Sequence, residues 1–149
     1  MTVLFSKKAE IGIKAILYLS TKNVNEIIDV GVISQELNLP KLFTAKILQQ
    51  LAREKIIGSK KGKFGGFYIT ETSMNTKLIK IIEVLDGLEM FGKCMFGFPN
   101  CSDDEPCPVH SFWGEIRDKM YKMFSEISLS DMKDDTLIKI NFLNKNKQT

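Results

Sequence analysis

Two segments with helical apolar periodicity meet at Asn38-Leu39-Pro40, and no other feature of the chain constrains its fold as strongly. Ahead of the junction, Ile33-Ser-Gln-Glu-Leu reads as a short helix. It must stop there, because proline disfavours helix in the residue before it and suits the first turn of the helix after it. A second helix starts near Lys41. Phe43, Ile47, Leu48 and Leu51 are expected to form its buried stripe, with Lys41, Leu42, Ala45, Lys46 and Gln49 on the outer side. A short helix, a tight turn and an amphipathic helix make a helix-turn-helix pattern. Next, Ile56-Ile57 and Phe67-Tyr-Ile-Thr70 are runs of β-formers around the glycine-rich Gly58 to Gly66, which predicts a β-hairpin wing.

The flanking segments complete a mostly α architecture. Gly12, Ile13, Ile16 and Leu17 recur from Ala9 at the spacing of a core-facing helix that ends before the polar run Ser20 to Asn25. Thr76 can cap a helix carrying Leu78, Ile81, Ile82 and Leu85, stopped by Asp86-Gly87. Cys94 to His110 has prolines at 99, 106 and 108 and no periodicity, so it reads as a loop. Beyond it, Phe112, Ile116, Met120, Met123, Phe124 and Ile127 mark a long helix whose apolar stripe exceeds what a small lobe covers, and dimerisation through it is expected. The tail from Lys145 is polar and expected to fray. The reading is thus a winged helix-turn-helix over 1–75, followed over 76–149 by a loop and a long dimerisation helix.

With 149 residues, 44% of them hydrophobic, the chain suits one compact domain or two small lobes and excludes a large multidomain enzyme. No stretch approaches the roughly 18 apolar residues of a membrane span, and Met1 to Lys7 lacks the apolar core of a secretory signal. A cytoplasmic protein without a membrane partner is expected.

Charge distribution says more than total charge. The chain is only +3, yet Lys41 to Lys63 holds seven cations (Lys41, Lys46, Arg53, Lys55, Lys60, Lys61 and Lys63) against one anion, Glu54. That window carries +6, leaving −3 for the rest. A positive patch concentrated on a helix-turn-helix and a wing is the footprint of double-stranded DNA binding, since each lysine that neutralises a phosphate releases condensed counterions. Lys41, Lys46 and Gln49 can reach phosphates or base edges from the helix, while Lys60, Lys61, Gly62, Lys63 and Phe64 form a narrow cationic tip suited to phosphates or a minor groove.

Cys94, Cys101, Cys107 and His110 follow the pattern C-x6-C-x5-C-x2-H within one proline-broken loop. Thiolates hold soft metals and the iron of iron-sulfur clusters, and imidazole can replace a thiolate on iron. An iron-sulfur cluster, zinc, or a metal-free set of redox-active thiols all fit the residue types. The spacings are looser than the paired cysteines of common structural zinc sites, which favours a cluster. Cys107 and His110 could also pair as nucleophile and base, but no oxyanion element accompanies them, so an enzyme is not expected.

These segments together resemble the Rrf2 family of bacterial winged-helix regulators. The resemblance runs from about Phe5 to Met132 and rests on Ser6-Lys-Lys-Ala-Glu-Ile-Gly-Ile-Lys-Ala-Ile-Leu17, Ile33 to Leu51, Lys61-Gly-Lys-Phe-Gly-Gly-Phe67, Glu83-Val-Leu-Asp-Gly87 and Cys107-Pro-Val-His-Ser-Phe-Trp113. It implies a homodimer joined through the long helix, which binds a roughly palindromic operator and holds one cluster per subunit. Cys94, Cys101 and Cys107 match the three cysteine ligands of the cluster-bearing members. For the fourth, His110 matches the IscR-like spacing and a 2Fe-2S cluster, while Glu10 matches the acidic ligand that NsrR-like members supply from a partner's first helix, which leaves 4Fe-4S open. There are two departures. The gap from Cys94 to Cys101 is one residue longer than the IscR type, and Lys63 stands where many members have proline. The expected function is a transcriptional regulator, a repressor, whose operator affinity follows the state of the cluster in response to nitric oxide, redox conditions or iron. The competing readings are a regulator with a zinc-bound or metal-free thiol sensor and, from another class, a small iron-sulfur electron carrier.

Overall fold

The structure is a computed structural model that describes residues 4–148; Met1 to Val3 and Thr149 lie outside it. Ser6 opens the first helix, α1 (Lys7–Ser20), its hydroxyl accepting from the Ala9 amide at 3.1 Å. Asp29 caps α2 (Val30–Leu37) through the Gly31 amide, and Asn38 ends it in the left-handed conformation at φ 53°. Pro40 precedes α3 (Lys41–Arg53). The predicted helix-turn-helix is therefore present, with the turn at Asn38 to Pro40.

The wing differs in register from the sequence reading. Strands β1 (Gly58–Lys60) and β2 (Gly66–Tyr68) pair antiparallel, while Ile56 and Ile57 are buried ahead of the ladder. The core claims the two isoleucines, so the glycine-led segment after them supplies the strand. A bridge between Ile28 and Phe67 braces β2 from the segment before α2. Gly66 is required at that contact, because a Cβ would meet the Ile28 carbonyl. Gly62, at φ 104°, turns the tip.

A short helix, α4 (Glu71–Met74), precedes α5 (Leu78–Asp86), and the cap falls on Thr70, which shares a capping box with Ser73. Thr76 contributes its carbonyl instead, accepting from the Leu129 amide at 3.1 Å, and Lys77 stands at the α5 N-terminus without a side-chain cap bond. Gly87 stops α5 at φ 77° as expected. A single 3₁₀ turn (Glu89–Phe91) and the cysteine loop lead to α6 (His110–Glu126) and α7 (Leu129–Lys147). Helix α7 is capped by a Ser128 and Asp131 box and runs through the tail expected to fray. The Lys147 ammonium donates to the Glu36 carbonyl at 2.7 Å, and Asn144 donates to the Glu36 carboxylate at 3.1 Å.

One core joins these pieces. Helix α1 lies among α3, α5 and α7, with Ile16 and Leu19 fully buried beside Ile33, Leu48, Leu51, Ile81 and Leu129. Phe43 is not in that core. It is 40% exposed, and Thr44 is the fully buried residue of the first α3 turn. The buried row Thr44, Ile47, Leu48 and Leu51 keeps helical phase, and Phe43 lies just outside its arc. Phe124 departs from its expected place too. It is buried in its own chain against Phe5 and Phe91, whose rings lie 6.0 and 6.2 Å away, whereas Phe112, Ile116 and Met123 stay exposed and Met120 and Ile127 half-exposed.

Gly12 sits where α1 approaches α3 and α5 most closely: a Cβ there would lie 2.7 Å from a Leu85 methyl and 2.9 Å from an Ile47 methyl. Gly12→Val should therefore overpack the crossing and destabilise the fold by about 1–3 kcal/mol. Urea unfolding should show a lower midpoint with an unchanged slope.

Candidate nucleic-acid interface and cysteine site

Helix α3 and the wing share one face. A groove of about 600 Å³ runs between them, lined by Ala45, Gln49 and Arg53 from the helix and Lys60, Lys61 and Gly62 from the wing. Lys41, Lys46, Gln49, Lys60, Lys61, Gly62 and Lys63 are all exposed, and Ala45 is half-buried at the groove floor. Leu42 and Phe64 are 81% and 82% exposed, unusual for large apolar side chains without a partner. Lys63 lies 5.6 Å over the Phe64 ring. Arg53 was counted in the basic window but not among the expected contacts; only the folded wing brings it to the groove.

The second feature begins where α5 ends. Gly87 turns the chain out of the core, and the indole N–H of Trp113, near the start of α6, donates to the Lys93 carbonyl at 3.1 Å, fixing the peptide before Cys94. A turn closed by Gly97 N–H to Cys94 C=O follows. Another is closed between Ser102 and Glu105, and the His110 amide donates to the Cys107 carbonyl at 3.0 Å. These turns bring the sulfur atoms of Cys94, Cys101 and Cys107 within 4.8 Å of one another, each half-buried. His110 Nδ1 lies 3.1 Å from the Cys101 sulfur, and its Nε2 lies 3.0 Å from an Asp103 carboxylate oxygen.

The protein tunes these thiols unequally. Burial opposes ionisation of Cys94, yet backbone hydrogen bonds from Phe96 and Phe98 outweigh it and bring the thiol down to about 7. Burial pushes the Cys107 thiol up. Three gathered thiols, one easily ionised, with an imidazole in contact, form a donor set that suits iron in a cluster and also tetrahedral zinc. Glu10 is not part of that group. It pairs with Lys14 at 2.9 Å and Lys7 at 3.5 Å on its own helix, and the Lys14 hydrogen bond holds its carboxyl down at about 2.

Two sites thus occupy one small fold, a cationic reading face and a thiol set downstream of it. The family model described as iron-dependent transcriptional regulator, Rrf2, matches residues 5–135. The chain belongs to the Rrf2 family. A relative in Aquifex aeolicus named as an HTH-type transcriptional regulator is 26% identical over 132 residues, 87% of this chain and 91% of its own length. Among solved structures, CymR, the global cysteine regulator of B. subtilis, superposes with a TM-score of 0.72 at 20% identity, covering 89% of this chain and 98% of that one. IscR of T. potens superposes with a TM-score of 0.66 at 20% identity, covering 88% and 86%. This Rrf2 protein is accordingly a winged-helix, DNA-binding transcriptional regulator and not an enzyme. No helix among the described residues is long and apolar enough to cross a membrane.

The sequence reading missed Trp113 and Asp103 as parts of the cysteine site. Trp113, the single tryptophan, already stood in the Cys107-to-Trp113 motif and was legible as a candidate. Asp103 sat in an acidic run that shows nothing until the loop turns. Trp113→Phe keeps the ring and removes the N–H donor, a loss of about 1 kcal/mol. Amides of residues 94–97 should then exchange with deuterium roughly fivefold faster in mass spectrometry, with α1 and α3 amides unchanged.

Proposed function

We propose that this Rrf2 regulator is a homodimeric repressor whose operator affinity depends on an iron-sulfur cluster, of the 2Fe-2S type, held by Cys94, Cys101, Cys107 and a fourth donor that is not cysteine. One observation carries the reading: the three thiols converge beyond the last turn of α5, and that turn is hydrogen-bonded to the reading head. Gln50 of α3 donates to the Val84 carbonyl at 2.8 Å. The Ser6 amide and hydroxyl, at the start of α1, both donate to Asp86. A change in the loop thus reaches the recognition helix through two polar links, alongside the packed core.

When bound, the cluster would supply thiolate neutralisation and a redox-sensitive bond set that nitric oxide, oxidants or iron shortage can dismantle. The chain does the rest. With its thiolates engaged, the loop is ordered, and Gly87 and the 3₁₀ turn carry that order into α5. In the dimer, Phe112, Ile116, Met120, Met123 and Ile127 of α6 would meet the same residues of a second copy. The spacing of two α3 helices then decides operator affinity, because half-sites lie about one helical turn, roughly 34 Å, apart. A tenfold change needs only about 1.4 kcal/mol of coupling. At the DNA, Lys41, Lys46, Lys60, Lys61 and Lys63 would neutralise phosphates, Gln49 and Ala45 would face base edges, and Leu42 would suit a thymine methyl. Phe64 would enter the minor groove from the wing tip at Gly62.

Zinc is the second reading, favoured by the same three-sulfur, one-nitrogen donor set. Iron, sulfide and zinc analysis of anaerobically purified protein separates the two, and Cys101→Ser should abolish visible absorption; full colour in that variant would overturn the ligand assignment. Operator binding titrated with salt tests the reading face. Lys46→Ala and Lys61→Ala should each lower the slope of log K against log salt by about 1, uniformly across sequences. Unchanged slopes would remove those lysines from the interface. Gln50→Leu should bring the affinities of the loaded and metal-free dimers together, whereas an undiminished difference would exclude the α3 to α5 link.

A further inference from the structure

Asp103 and His110 meet across the mouth of the cysteine loop, and their contact determines which imidazole nitrogen faces the sulfurs. A carboxylate accepts hydrogen bonds and cannot donate them, so the 3.0 Å contact from His110 Nε2 to Asp103 places the ring proton on Nε2. In the neutral ring the lone pair then lies on Nδ1. That atom is 3.1 Å from the Cys101 sulfur, and in the metal-free chain the thiol S–H donates to it. A metal takes the place of that shared proton when thiolate and imidazole both become ligands.

We propose that Asp103 is a positioning residue of the cysteine site: by accepting the Nε2 proton of His110 it holds the ring so that Nδ1 is the fourth donor beside Cys94, Cys101 and Cys107. The proposal rests on the cluster reading above and goes further, in choosing the histidine over Glu10, naming its donor atom and assigning a role to an acidic residue with no other partner in the fold. Backbone contacts hold both ends of the pair. The Cys107 carbonyl fixes the His110 amide, and the Ser102 to Glu105 turn presents Asp103. Metal-bound histidines usually donate their second N–H to such an acceptor, and losing it typically costs 10–100-fold in metal affinity. Asp103 is fully exposed, so replacing it leaves the core untouched and separates a change at the site from a change in folding.

The test uses the full-length protein reconstituted anaerobically with iron and sulfide, labelled with ¹⁵N-histidine and reduced with dithionite. Pulsed electron paramagnetic resonance should detect one strongly coupled nitrogen in the wild type and none in His110→Ala. Asp103→Ala should shorten the cluster lifetime under a chelator about tenfold and weaken or broaden the nitrogen coupling. Asp103→Asn, whose side-chain oxygen still accepts from Nε2, should restore both towards the wild type. Wild-type lifetime and coupling in Asp103→Ala, or an Asp103→Asn variant as defective as Asp103→Ala, would overturn the positioning role. A coupled nitrogen that survives His110→Ala would overturn the donor assignment. If the wild type takes up no iron and sulfide at all, the cluster reading itself fails, and this proposal with it.

Discussion

Burial of α1 is the constraint on which the rest of this structure depends. The helix has core contacts along most of its length, with Ala9, Ala15, Ile16 and Leu19 fully excluded from solvent. It packs against the recognition helix, against α5 and against α7 at once. Each fully buried isoleucine or leucine contributes about 1.5–3 kcal/mol relative to exposure, which makes this three-way contact the main source of cohesion. Because close-packed interiors move as units, any shift of α5 or α7 is felt by α3 through α1. DNA reading and thiol chemistry are separate in sequence but share a single core.

The exit from that core is narrow. Asp86 accepts from Ser6, Gly87 takes φ 77°, and beyond them the chain has few apolar anchors until Phe124 docks on Phe5 and Phe91. Between these points the cysteine loop is held by short turns and by the Trp113 indole. A segment with so few buried contacts opens at low energetic cost, a property suited to assembling and releasing a bound group. The same poverty of contacts leaves the apolar outer face of α6 without cover in the single chain.

Much of the fold was legible because local rules and tertiary demand agreed. Pro40 broke the helix where expected, Gly87 stopped α5, and the apolar rows of α1 and α5 pointed inward. Disagreements arose where neighbours overrode local preference. The core took Ile56 and Ile57 from the hairpin, the capping role fell to Thr70 because α4 intervenes before α5, and Thr44 displaced Phe43 by its phase against α1 and α2. Helix α7 escaped notice because its polar composition shows little periodicity. Its place is set by the capping box at Ser128 and by the reach of Asn144 and Lys147 to α2.

The sequence by itself determined the class of the protein: a helix-turn-helix with a cationic wing, followed by three cysteines and a histidine in one loop. These follow from residue type and spacing, which folding cannot alter. Tertiary structure alone decided which atoms meet. It brought Arg53 into the groove with Lys60 and Lys61, drew three sulfurs within 4.8 Å, tied Gln50 to α5 and turned Asp103 onto His110. Such contacts join residues through turns and core packing, and short-range periodicity carries no record of them.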